Sequence, residues 1–316
     1  MTEPVVGIIG AGVVGRRILR RFTTLVPDAT LIEIDTRRQD IGAIAQRIDL
    51  VILAQPGPHH PSARRLLERG IDVVSIGDGV DDVRALFDLE AVARRGDATL
   101  VVGAGMSSGL VALLARQLAG SCSSIDEVHV HVHGTAGPSC ARQHHHALAG
   151  TSTNMLDGRE ISTRAGTGRQ LAFFPEPVGA YDCYHAEMAA PLVIRRAFPE
   201  VERIQARMSA NRRDRLTSRL PMLTRPHSEG GVGALRVEVR GTDDRGGRVT
   251  HVAGIAELVG TAAAATAAAF AGLLLADERA PGLVVPGGED VPTTDLLRSI
   301  ERLGVRLQLF TGVPSA

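Results

Sequence analysis

The chain has 316 residues, enough for two domains of ordinary size. Its 35 basic and 35 acidic residues cancel, which argues against a polybasic surface for nucleic acid or anionic membrane. The three cysteines, Cys122, Cys140 and Cys183, are too few and odd in number for a disulfide framework, so a reducing, cytoplasmic setting is expected.

The first apolar run begins within four residues of the N-terminus, and no signal peptide is expected ahead of it. Residues 5–9 read VVGII, a short buried strand of the parallel type. Gly10, Ala11, Gly12, Val13, Val14 and Gly15 follow, a G-x-G-x-x-G that opens the helical pattern RRILRRF. Gly10 permits the tight turn, Gly12 lets backbone approach a pyrophosphate, and Gly15 lets helix pack close to strand. The helix N-terminus offers free N–H groups and partial positive charge to the phosphates. The second strand, TLIEID, ends at Asp35, twenty residues after Gly15. A carboxylate there accepts hydrogen bonds from ribose hydroxyls and favours NAD. Arg37 and Arg38 follow at once and suit the 2′-phosphate of NADP. The cofactor expected is therefore NAD or NADP.

DIGAIAQRI has a short helical pattern, and DLVILAQ is the next buried strand. It runs into PGPHHPSA, which places Gln55, Pro56 and His60 outside a strand's carboxyl end, where doubly wound sheets bind ligands. His59 or His60 reads equally as a cap of the helix ARRLLERG. VVSIGD is a strand, VRALFDLEAVARRG a helix, and TLVVGAG a strand. SSGLVALLARQLA reads as a helix with Ser107 or Ser108 at its N-cap. Strands and helices alternate through residues 1–122, the pattern of a parallel sheet covered on both faces.

The pattern changes near residue 122. In EVHVHVHG the valines Val128, Val130 and Val132 share one face, and His129, His131 and His133 share the other. This opens a second, mostly antiparallel α+β domain over residues 123–257. The segment CARQHHHAL forms a short helix, on which Cys140 and His144 share a face. NMLDGREIST is a hairpin turning at Asp157-Gly158. LAFFPEPVGAYDCYHAE reads as a loop that carries Asp182, Tyr184, His185 and Glu187. ALRVEVRGTDDRGGRVTHVAGIAELVG is a long hairpin. The Ala-rich stretch of residues 260–276 is shorter than a bilayer span and reads as a buried or interface helix. That helix and the tail after it are expected to pack back on the first domain.

These segments together resemble the saccharopine dehydrogenase-like oxidoreductases in their short bacterial form. GAGVVG, HHPSARRLLERGIDVVSIGD, GAGMSSGLVALLA, FPEPVG, ALRVEVRG and PGLVVP carry the resemblance. Ser108 stands where that family usually has proline. The resemblance implies a Rossmann-type doubly wound domain followed by an α+β domain. It also implies nicotinamide-dependent hydride transfer at a carbon–nitrogen centre of an imine, amino acid or related metabolite. Hydride transfer needs a proton donor or acceptor, and histidine titrates in the right range. His144 or His145 is the expected acid–base group, and Arg142 the expected clamp on a substrate anion. Tyr184 and His185 are expected as neighbours. Three imidazoles suit zinc, but no metal-ligand spacing accompanies them, and no metal is expected. A homodimer is expected, from the Ala-rich helix and an open sheet that needs cover. Two other readings stay open: a net non-redox enzyme with tightly held NAD(P), and a sensor that binds the dinucleotide without turnover.

Overall fold

The computed structural model describes residues 3–36, 47–222, 225–276 and 279–310. Residues 40–46 of the expected helix over DIGAIAQRI, with Arg37 and Arg38, lie outside the described residues.

The first sheet is built from short, mostly apolar runs. These are β1 (Val5–Ile9), β2 (Thr30–Ile34), β3 (Leu50–Leu53), β4 (Asp72–Ser75) and β5 (Thr99–Val101). All four residues of β3 are buried, as a strand sandwiched by helices requires. The intervening helices are α1 (Val13–Leu25), α2 (His60–Leu67), α3 (Val80–Phe87), α4 (Glu90–Arg95) and α5 (Val111–Ala119). The single helix expected over VRALFDLEAVARRG, residues 83–96, is thus two. α5 is preceded by one π-helical turn, Met106–Leu110.

The second sheet begins at β6 (Ser124–His133). After α6 (Pro138–Ala147) come β7 (Thr151–Leu156), β8 (Arg159–Arg164), β9 (Gln170–Phe173) and β10 (Ala180–His185). Then follow α7 (Ala190–Ala197), β11 (Arg203–Ser209), α8 (Arg212–Thr217), β12 (Val232–Thr242) and β13 (Arg248–Leu258). The chain ends with α9 (Val259–Ala276), β14 (Gly282–Val284), α10 (Thr293–Arg302) and β15 (Gln308–Phe310).

The first sheet has the order β14-β5-β4-β3-β1-β2 and is parallel throughout. β1 leads outward to β2 while β3 starts the other half, so the topological switch lies between β1 and β3. The main path of the second sheet is β15-β13-β12-β6-β11-β10-β9, with β7 and β8 branching from β11. It is mostly antiparallel, with β6 and β11 parallel. The stretch read as a loop from residue 171 to 187 is a hairpin, β9–β10, which turns through a cis Glu176–Pro177 bond. Two phenylalanines, two prolines and a glycine masked its alternation. The hairpin at Asp157-Gly158 forms as expected, with both residues at positive φ (51° and 69°).

The valine face of β6 meets the core: Val128, Val130 and Val132 are fully buried. α5, which follows β5 in the chain, packs on the second sheet against β6, β12 and β13. α9 is apolar all round because it is buried nearly all round; it lies against α1, β3 and β4. It is long and apolar enough to cross a membrane, yet 78% of it is buried inside the chain. Its small side chains permit the approach: a Cβ at Gly260 would stand 2.8 Å from Val13 Cγ1. β14 returns to the first sheet beside β5, whereas β15 joins the second beside β13.

Candidate active site

The turn after β1 is shaped by its glycines in three different ways. Gly10 has φ +125°, and a Cβ there would meet the Gln55 nitrogen at 2.5 Å. A Cβ on Gly15 would stand 1.8 Å from the Gly10 carbonyl oxygen, which is the close helix–strand approach. Gly12 meets nothing within 4 Å; the space above it is open. Gly12 caps α1 without any side-chain hydrogen bond, so the first-turn N–H groups of Val13, Val14 and Gly15 face that space without an intrahelical acceptor. Beside it Gln55 Oε1 is buried with no hydrogen-bond partner. An open cradle and free helix amides at the switch point fit a dinucleotide pyrophosphate. Asp35 stands exposed just past β2, on the side that the adenosine end would take.

The residues after β3 divide. Pro56 is exposed and His60 half-buried at the start of α2. His59 is internal to the fold. Its Nε2 donates to the Gln55 carbonyl (2.8 Å), and its Nδ1 meets Ser75 Oγ (2.8 Å). Burial pushes its pKa down, and the neutral ring ties β3 to β4. Neither histidine caps α2 with its side chain; Asp82 instead accepts the backbone N–H of both.

Beyond β4 and β5 the cleft floor carries groups that sequence spacing did not single out. Asp78 accepts from Ser107 Oγ and Ser108 Oγ, each at 2.5 Å. These serines were expected to cap α5; their hydroxyls serve Asp78 instead. Burial pushes the Asp78 carboxyl up, against the two serines and His144, which draw it down. The only sequence signal for this arrangement was the pair of serines after TLVVGAG.

α6 reaches the same place from the second domain. Its entry is pinned on α1: a Cβ on Gly137 would stand 2.8 Å from Val13 Cγ2. Glu229 adds ion pairs to Arg16 (2.9 Å) and Arg17 (3.3 Å) of α1. One turn in, Cys140 and His144 share a face of α6, and the charges of His144 and of Asp78 from the first domain act on that face. Burial alone would push the His144 pKa down; the Cys140 sulfur and the Asp78 carboxylate outweigh it and hold it above the usual value. The converse holds for Cys140, where burial is outweighed by His144 and the thiol falls below its usual range.

The other expected residues are spread more widely. Arg142 is two positions from Cys140, on the opposite side of α6; it is exposed and touches Ser139 Oγ at 3.4 Å. His145 is buried, with Nε2 on the Leu220 carbonyl at 2.9 Å. Tyr184 and His185 are consecutive on β10 and therefore point to opposite faces. Tyr184 pairs with Met208 on the core face, 5% exposed, with the Arg215 guanidinium 4.0 Å above its ring. His185 pairs with Arg207, which pairs in turn with His131, so it belongs to the outward face. The structure thus brings His144 into the cleft, and does not bring His145, Arg142 or His185 there. Among the described residues no group of three or more His, Cys, Asp or Glu side chains is placed to hold a metal ion.

No family model and no curated protein matches the chain. Solved structures do resemble it. Apo saccharopine dehydrogenase (L-Glu forming) from Saccharomyces cerevisiae superposes with a TM-score of 0.66 at 12% identity, over 98% of this chain and 100% of that one. A mutant meso-DAP dehydrogenase from Clostridium tetani, solved with DAP, gives 0.54 at 12% identity, over 92% and 95%. The C. glutamicum DAP dehydrogenase in complex with DAP gives 0.52 at 14% identity, over 94% and 96%. The chain has the saccharopine dehydrogenase-like fold.

Proposed function

From that fold, we propose that the chain is an NAD(P)-dependent oxidoreductase acting at a carbon–nitrogen centre of a small imine or amino-acid-like metabolite. The observation that carries this reading is continuity. An open phosphate cradle at Gly12 leads across the ends of β3, β4 and β5 to the Asp78, His144 and Cys140 cluster. The named relatives in structure support the substrate class, since two of them were solved with DAP.

The bound nicotinamide would accept or supply the hydride. The residues of this chain do the rest. The first turn of α1 binds the pyrophosphate, and Asp35 orients the ribose. His144 holds or releases the proton at its imidazole, and Asp78 stabilises the charged ring. Tyr184, buried on the core face of the second sheet, and the half-buried Arg215 over its ring form a polar wall. Arg142 would need a turn of α6 or a partner chain to meet a substrate anion. We place the enzyme in the cytoplasm as a homodimer. Support for association now rests on the second sheet, because α9 is buried within a single chain.

The test is a dinucleotide titration of wild type and Gly12→Val, followed by nicotinamide absorbance with a panel of imines and amino acids. Because a Cβ at Gly12 meets no protein atom within 4 Å, the variant should fold normally and lose binding by at least about 100-fold, roughly 2.7 kcal/mol. Normal affinity in a folded Gly12→Val would remove the cofactor reading. Tight binding with no absorbance change on any substrate would remove the net redox reaction.

A further inference from the structure

We infer that the outward face of the second sheet holds an anion site, in which Arg207, His131 and His185 bind a small oxyanion, a carboxylate or phosphate group. The inference stands apart from the proposed reaction, because this face is opposite the one that carries Tyr184.

Strand register builds the site as one row. His185 on β10 lies opposite Arg207 on β11, Arg207 opposite His131 on β6, and His131 opposite Arg236 on β12. Residues paired in this way share a face, with Cβ atoms about 5 Å apart. The alternation in EVHVHVHG sends the valines into the core and leaves His131 in the row.

Arg207 is half-buried and held in place by neutral groups. Its Nε donates to the Gly168 carbonyl (3.1 Å), its Nη1 donates to Gln205 Oε1 (3.0 Å), and its Nη2 meets His185 Nε2 at 3.5 Å. A guanidinium carries more N–H donors than these contacts use. Burial draws the Arg207 pKa down, and no carboxylate opposes the shift. The carboxylates of this face are already engaged. Glu127 pairs with Arg203 and Arg240, and Glu238 pairs with Arg236 and Arg240. The charge of Arg207 is therefore left over.

The imidazoles supply an independent sign of a missing partner. His131 is 1% exposed. Gln170 is near enough to favour its charged form, yet neither ring nitrogen has a partner at hydrogen-bond geometry. His185 Nδ1 is also buried and unpartnered. A buried N–H without an acceptor is costly, and so is an uncompensated cation beside it. One oxyanion relieves both. Its oxygens accept from the spare N–H groups of Arg207 and from whichever His131 nitrogen carries the proton. A metal cation in the same place would be repelled by Arg207 and Arg236. A second copy of the chain would bring the same excess of arginine, so charge disfavours pairing this face with itself. Arg207, Arg236 and His185 are half-buried, not sealed, which leaves the row open to a small ion.

The experiment is a titration of the native full-length protein with inorganic phosphate near pH 7 at constant ionic strength, read by NMR of the imidazole ring protons. The signals are assigned by their absence in His131→Gln and in His185→Asn; the second change, at a half-buried site, keeps one reporter even where the first prevents folding. Both signals should move together and saturate. Arg207→Gln should weaken the binding at least about tenfold. Acetate forms the second arm: tighter binding of acetate assigns the site to a carboxylate, and tighter binding of phosphate to a phosphate group. No saturable shift with either anion in wild type would overturn the inference, as would wild-type affinity in Arg207→Gln. Shifts that follow protein concentration in place of anion would give the face to a second copy, and would overturn it too. The Gly12 cradle is read separately. Gly12→Val should leave the His131 and His185 response unchanged, whatever it does to dinucleotide binding, and a response lost in that variant would move the anion to the cradle and sink the second site.

Discussion

At the scale of single residues, chemistry in this chain follows from which groups share a cleft. Three consecutive histidines on α6 have three fates. His144 meets Cys140 and Asp78, His145 binds the Leu220 carbonyl, and His146 faces solvent. Their sequence is the same; the helix turns each by about 100° to a different neighbour. The His144 pKa is raised because its charged form is favoured by Cys140 and Asp78 despite burial. The proton-donating direction needs the protonated ring, so its rate should fall as pH rises through that raised value. His144→Asn should lower kcat by about 10²–10⁴ and remove that alkaline limb. His145→Asn should not share the loss of the limb. A His144→Asn enzyme with the wild-type pH profile would exclude this imidazole from proton transfer.

At the scale of elements, β6 shows how strand periodicity separates two environments ten residues long. Its valines enter the apolar core. Its histidines lie in a layer of charged side chains from β11 and β12, in which Glu127 pairs Arg203 (3.1 Å) and Arg240 (3.3 Å), and Glu238 pairs Arg236 (2.6 Å). Long side chains bury what they surround, and His131 is only 1% exposed. Burial, with Arg236 adding to it, pushes the His131 pKa down to about 4. The folded state then refuses a proton that the unfolded chain takes near pH 6.5. The stabilisation is complete above pH 6.5 and is lost as pH falls toward 4, about 3 kcal/mol in all. His131→Leu should therefore lose less stability than wild type between pH 7 and pH 4.5 in denaturant titrations. Equal losses in the two proteins would assign the acid sensitivity elsewhere.

At the scale of the whole molecule, the chain passes between the two sheets through two helices, of which α9 touches strands of both. α5 leaves the first sheet and packs on the valine side of the second, and α9 leaves the second and packs on the first. This arrangement buries the Ala-rich helix that the sequence offered as an interface. What remains unpaired is the rim of the second sheet. β9 exposes Leu171 (53%) and Phe173 (61%), and β15 exposes Leu309 (70%) at the opposite edge. Such edges invite pairing with another chain. Sedimentation at micromolar concentration should give a species of twice 33.4 kDa, and Phe173→Lys should shift it toward monomer. A single 33.4 kDa species in wild type would rule the dimer out.

The sequence by itself determined what depends on local pattern. Apolar runs and helical periods set the parallel first sheet. The glycine spacing marked the cradle, strict alternation set the two faces of β6, and Asp157-Gly158 fixed a turn. These features are legible because each rests on backbone conformation or on neighbours within a turn. The β9–β10 hairpin was not, because Phe174 and Pro175 interrupt its alternation while packing over β6 and β13: the Phe174 ring stacks near His133, and Pro175 touches Gly254. Only the tertiary structure decided the site. Asp78 and His144 are 66 positions apart, on different domains, and no spacing rule links them. They meet because the entry to α6 is seated on α1 at Val13, which aims one face of α6 at the ends of β4 and β5. The direction of a side chain within its helix is local, but what it faces is set by the packing of one domain on the other.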